Sequence, residues 1–262
     1  TALVEFEILT GNSKAYLPKG SVPYQQNHRE PNPSNPSEIK KNGYETVAVH
    51  TYDRSFFNRA RAYPILGFDR FIGKEDIPDP KYKGPFVSDE TFTDEILRQL
   101  KDAKRTKPLF VFGISMENHF SYEGHKFDGF DVSVSGSGLT DDDIRTVRNY
   151  AQGIYDADRE LGRLVAELRN FDEPTYLLFF GDHLGILGND FGVYERSLFV
   201  SSADESEWSE KERLAMYSPP FLVWNNFSNF AANPNSPTNP REKRDFKHVR
   251  APFLGNLLLD AL

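Results

Sequence analysis

The sequence predicts an α/β fold: a mainly parallel sheet with helices on both faces. Three observations point to it. Apolar runs of strand length recur at residues 46–50, 108–115, 175–180 and 220–224. Amphipathic stretches of helical period lie between them. His50, His119, Asp182 and His183 fall at or just past the carboxyl ends of those runs, where open α/β sheets bind ligands.

Taken in order, residues 2–10 read as a short helix stopped by Gly11. A Pro- and Asn-rich loop spans Asn27 to Pro36, and a β-branched run then ends in His50. Residues 77–85 contain three prolines and read as a surface connection. Residues 88–104 read as an amphipathic helix with Phe92, Ile96 and Leu100 on one stripe. The continuous run at 108–115 predicts a buried strand. Three aspartates after Thr140 favour the positive end of a helix dipole and open a long helix. Its expected apolar stripe is Ile144, Val147, Ala151, Ile154, Leu161, Val165 and Leu168. Residues 175–180 and 220–224 predict two more buried strands, and all four strands are expected in one sheet. The loop from Ala231 to Pro240 reads as solvated, and no internal repeat is present.

Composition narrows the function. The 262 residues fit one large domain, 1–262, better than two small ones. A net charge of −8 argues against a nucleic-acid partner, because phosphate contacts need clustered Lys and Arg. With no cysteine there is no disulfide, thiolate metal site or Cys nucleophile. No apolar run approaches the roughly 20 residues of a spanning helix. The start at Thr1, without Met, reads as an N-terminally trimmed domain.

The polar residues at the strand ends carry the chemistry. Taken singly, each histidine is as readily a hydrogen-bonded structural residue as a ligand. The adjacent Asp182 and His183 say more, since a hard carboxylate beside an imidazole suits a divalent cation of the Zn or Mn kind. The bland reading of that pair is a helix-capping aspartate with an incidental neighbour.

Several strings together carry a resemblance. Phe179 to Gly185, behind Tyr155 to Gly162, resembles the late metal-binding motif of the lipoteichoic acid synthase branch of the sulfatase/alkaline-phosphatase superfamily. Thr1 to Gly11 resembles that branch's nucleophile segment, in which a Thr opens a helix and a Glu-Phe pair follows. Phe56 to Arg59 resembles a substrate-pocket motif, Met116 to Phe120 a segment carrying a pocket histidine, and Tyr217 to Asn225 the return strand. The matches run in family order from residue 1 to about residue 225.

The resemblance implies an alkaline-phosphatase-like α/β fold, with Thr1 as nucleophile and Thr1, Asp182 and His183 as ligands of one divalent metal. Manganese is the first expectation, with magnesium or zinc as alternatives. His50, Phe57, Arg59 and His119 are implied to bind the phosphoryl group or headgroup. The donor is then a phospholipid headgroup and the acceptor a glycan or polyol phosphate. The setting is the outer face of the cytoplasmic membrane, reached through upstream helices. Two departures stand out. The family's acidic ligand from a strand before the nucleophile has no counterpart in residues 1–262, and Phe57 stands where a Trp is usual. A phosphoethanolamine transferase, a phosphodiesterase and a non-catalytic sensor or scaffold remain as alternatives. A sulfatase lacks its Cys/Ser-x-Pro-x-Arg setting here. An N-terminal-nucleophile hydrolase would give Asp182 and His183 no role.

Overall fold

The computed structural model describes residues 1–26, 33–227 and 248–259. Helix α1 (Ala2–Thr10) ends at Gly11, whose φ of 68° is the left-handed turn that glycine adopts without penalty. Helix α2 (Asn35–Lys41) is capped by Ser34, so the tail of the expected 27–36 loop is helical. Residues 27–32 of that loop, and all of 231–240, lie outside the described residues.

Strand β1 (Glu45–His50), helix α3 (Arg59–Ile65) and strand β2 (Arg70–Ile72) follow. The 77–85 connection contains strand β3 (Tyr82–Lys83), which folds back on β4 (Phe86–Val87) as a small hairpin. Helix α4 (Asp89–Leu100) stops short of the expected Lys104. Beyond Leu100 the sequence is polar, and the Arg105 side chain donates to the Leu100 carbonyl, satisfying a group the helix leaves open. Strand β5 (Leu109–Ile114), helix α5 (Asp141–Arg169), strand β6 (Tyr176–Phe180) and strand β7 (Phe221–Asn225) complete the frame.

β1 is the central strand of a parallel sheet ordered β2-β1-β5. Its alternation assigns the two cores. Ala48 packs with Phe6, Leu9, Ala62, Tyr63 and Phe112 on the face that α1 and α3 cover. Val47 and Val49 pack with Ile72, Ile77 and Ile96 on the face that α4 covers. Helices thus lie on both faces, as the apolar runs imply.

Three expectations need correction. The four strand runs do not share one sheet: β6 pairs antiparallel with β7, apart from β5. β5 and β6 face one another across an apolar crevice of about 220 Å³ lined by Leu109, Val111, Leu164, Leu177 and Phe179, among others. Apolar continuity identifies a strand but not the neighbour its edge meets. For the same reason β6 is half-buried along its length and β5 mostly so, rather than buried. Third, the expected stripe of α5 is only in part its buried face: Leu168 is buried and Val147 packs on a core cluster, but most of the stripe is half-buried. Ile154 is 50% exposed, while Thr146, Asn149, Gln152, Asp156 and Glu160 are buried. That polar face covers the loop after β5. Asn149 donates to the carbonyls of Tyr122 and Gly124, and Gln152 accepts from the Asp131 amide.

Candidate active site

The site begins where β6 ends. The Gly181 amide donates to the Pro220 carbonyl, and a Cβ on Gly181 would sit 3.0 Å from the Pro219 side chain, so the close turn there favours glycine. Asp182 and His183 follow. Asp182 Oδ2 lies 3.2 Å from His183 Nε2 and 3.4 Å from the Thr1 nitrogen. Thr1 is the N-cap of α1, yet its hydroxyl makes no capping bond, and the residue lies against Asp182. Burial works to raise the Asp182 carboxyl. The His183 imidazole and the Thr1 contact outweigh it and hold the group below the ordinary aspartate range. The positive end of α1, roughly half an elementary charge, points into this corner.

Among the described residues, no three His, Asp or Glu side chains gather into a metal cage. The convergent donor set is one carboxylate, one imidazole and one hydroxyl. That chemistry fits a divalent cation of the Mn or Zn type with coordination positions left open.

The second part of the site is buried. Arg59 has no exposed side-chain surface and Glu5 has 2%. Arg59 donates from Nε and Nη2 to Glu5 Oε2 at 3.1 and 2.8 Å, and Tyr63 donates its hydroxyl to Glu5 Oε1 at 2.7 Å. The remaining arm, Nη1, lies 3.1 Å from His50 Nε2. His50 closes the set with Nδ1 3.2 Å from the Ile114 carbonyl. A carbonyl can only accept, so Nδ1 carries the proton and Nε2 accepts from Arg59. Burial first, and then the Arg59 charge, push the His50 pKa down to about 3, which keeps this ring neutral. Arg59 and His50, expected to face a phosphoryl group, are here turned inward onto α1 and β5. Glu5 had a visible place beside Phe6, but its partner lies 54 residues away.

Phe57 is presented by a strained turn: Phe57 and Asn58 both have positive φ, 54° and 63°. The Asn58 side chain donates to the Tyr24 carbonyl and holds the turn. The Arg59 guanidinium lies 5.3 Å from the Phe57 ring centroid. From there a wall of rings crosses the cleft. Phe56 meets Tyr52 at 5.1 Å, Tyr52 meets Phe86 at 6.0 Å, and Phe86 meets His119 at 5.5 Å. His119 is half-buried, and desolvation lowers its pKa; the charges of Lys126, His183 and Asp182 also act on it. The wall therefore runs from the buried His50–Arg59 pair to His119, on which the charges of His183 and Asp182 act.

Behind His119 lies a cluster that sequence reasoning missed. Asp89, Glu117 and Asp156 are nearly fully buried. Glu117 accepts from the Asp89 amide at 2.6 Å, and Lys83 bridges to Asp156. Burial, then the Asp89 charge, push Glu117 up to about 8, and burial pushes Asp89 to about 6. Lys126, pushed down to about 8 by the same desolvation, donates to the His119 carbonyl. The cluster fixes the His119 segment to α4 and α5. Its signals were the Met116 to His119 string and the polar line Gln152, Asp156, Glu160 within α5.

Known proteins share this frame. The sulfatase family model matches residues 1–244. A Rhizobium meliloti (strain 1021) protein assigned to cyclic β-1,2-glucan modification is 36% identical over 227 residues, covering 86% of this chain and 35% of its own length. Lipoteichoic acid synthase 1 of Bacillus subtilis (strain 168) is 27% identical over 180 residues, 67% of this chain and 26% of its own. The structure of the Streptococcus pyogenes phosphoglycerol transferase GacH, in complex with sn-glycerol-1-phosphate, superposes with a TM-score of 0.69. It is 24% identical and covers 87% of this chain and 56% of the other. The chain thus spans about a third of the first relative's length. Its fold is alkaline-phosphatase-like, and the chain belongs to the sulfatase family.

Proposed function

We propose that the chain is the catalytic part of a metal-dependent phosphotransferase that moves a glycerophosphoryl group from a phospholipid to a cell-envelope glycan. The observation that carries this reading is the corner where Thr1, its hydroxyl uncommitted to its own helix, lies against Asp182 with His183 against the same carboxylate. The reading draws further support from relatives named as phosphoglycerol-transferring and glucan-modifying proteins.

Thr1 Oγ, Asp182 and His183 would hold the cation, with manganese expected first and magnesium or zinc as alternatives. When bound, such an ion supplies Lewis-acid activation and charge neutralisation. The chain's own residues do the rest. Thr1 gives its hydroxyl proton to solvent as Oγ attacks the phosphorus of the headgroup, the phosphorus–oxygen bond to diacylglycerol breaks, and a glycerophosphoryl-threonine remains. The leaving oxygen takes a proton from His119. An acceptor hydroxyl then attacks the same phosphorus and gives its proton to His119, and the bond from phosphorus to Thr1 Oγ breaks as that oxygen takes a proton from solvent. Arg59 and His50 hold α1 and so aim Thr1, while the Phe57 ring borders the headgroup. A polyol-phosphate acceptor would use the same steps.

In this reading the fourth, acidic donor comes from an extended segment N-terminal to Thr1. The reaction takes place at the outer face of the cytoplasmic membrane, where the donor lipid lies. Among the described residues no helix is long and apolar enough to cross a membrane. The test is turnover of labelled phosphatidylglycerol with manganese and a glucan acceptor. Release of diacylglycerol with label on the glucan supports the reading; its absence under all three metals rejects it.

A further inference from the structure

The ring wall does not stop at the cleft. Beyond His119, Phe120 lays its ring on the imidazole with centroids 4.4 Å apart and planes 29° from parallel. Phe120 is 58% exposed, so one face is backed by His119 while much of the ring remains open. Single exposed apolar side chains are ordinary. This one differs in being held on a rigid segment. The His119 amide donates to the Met116 carbonyl, Lys126 donates to the His119 carbonyl, and the Tyr122 hydroxyl donates to the Asn118 carbonyl. Asn149 of α5 ties down Tyr122 and Gly124. A flexible loop would lose ordering entropy on binding; an anchored ring has already met that cost.

The other exposed side chains of residues 120–128, Ser121, Glu123, His125 and Asp128, are polar, while Tyr122 and Phe127 are buried. A flat, anchored aromatic face on a segment that otherwise exposes hydroxyl, carboxylate and imidazole groups matches a pyranose ring, which offers C–H groups on its face and hydroxyls on its perimeter. A lipid surface is a poorer match. Among residues 120–128 no aliphatic side chain is exposed for insertion beside Phe120.

We infer that Phe120, stacked on His119 and backed by Phe86, is a saccharide-stacking subsite that holds a neutral sugar ring of the acceptor beside the transfer centre. This subsite rests on the phosphotransfer reading above for its role but not for its binding.

The experiment is equilibrium binding of a cyclic β-1,2-glucan to the purified protein by calorimetry, without lipid donor and so without turnover. The expected result is saturable binding that Phe120→Ala weakens about ten-fold, the loss of one stacked face. Phe120→Tyr, which keeps the ring, should bind within about two-fold of wild type. Both variants should keep the wild-type melting temperature, since the side chain supports no core. Equal binding by Phe120→Ala, or none by the wild type, overturns the subsite. So does a Phe120→Ala variant that loses binding to phosphatidylglycerol vesicles while keeping its affinity for glucan, because the ring would then be a membrane contact. Binding through Phe120 with no transfer to the glucan leaves the subsite standing and sinks the phosphotransfer reading. Transfer that Phe120→Ala leaves unchanged does the reverse.

Discussion

Arg59 and Glu5 form a fully buried, forked ion pair that joins the helix behind Thr1 to the turn presenting Phe57. Glu5 lies one helical turn beyond Thr1, and its amide donates to the Thr1 carbonyl at 3.0 Å. The pair therefore sets where Thr1 stands, and His50 and Tyr63 fix its two ends.

Breaking the pair should be costly. Arg59→Ala leaves a carboxylate buried without its counter-charge, so a loss of about 3–5 kcal/mol is expected in urea unfolding. Arg59→Lys should recover only part, because an ammonium cannot form the fork. A loss under about 1 kcal/mol for Arg59→Ala would show that the pair does not position α1.

The Glu117 cluster predicts a pH dependence of stability. A carboxyl whose pKa rises from 4.5 to about 8 on folding binds its proton more tightly in the folded state. Its contribution is therefore complete below the unfolded value and is lost as pH rises through about 5 to 8. Thermal melting across that window should show a declining stability, and Glu117→Gln should flatten the decline. A Glu117→Gln profile parallel to wild type would remove Glu117 as its source.

Much of this was readable from local chemistry. Gly11 marks the end of α1 because a left-handed residue is a local need, and Asp182 and His183 stand just past β6 as the apolar run before them implies. The β5–β6 crevice was not readable, since an edge strand and a central strand can share the same apolar run. Nor was the turning of Arg59 onto Glu5, a pairing set by tertiary packing. The polar buried face of α5 was hidden for a related reason. Asn149 and Gln152 are buried against loop carbonyls and amides, so hydrophobic periodicity found Leu168 and Val147 but not the polar residues buried beside them.

His119 should act on the chemical step rather than on folding. His119→Gln is expected to reduce kcat about 100-fold, the usual scale for a lost proton donor, with a smaller change in KM. Because desolvation lowers the His119 pKa, its limb of the rate profile should fall below the ordinary histidine value. A change confined to KM would make His119 a binding residue only.

The central claim is that Thr1 carries the group. Intact-mass spectrometry of the protein after mixing with manganese and phosphatidylglycerol, without acceptor, measures this directly. The wild type should gain one glycerophosphoryl group, located on Thr1, while Thr1→Ala gains none and its turnover falls by about a thousand-fold or more. Full turnover by Thr1→Ala, or an adduct on any other residue, would contradict the account.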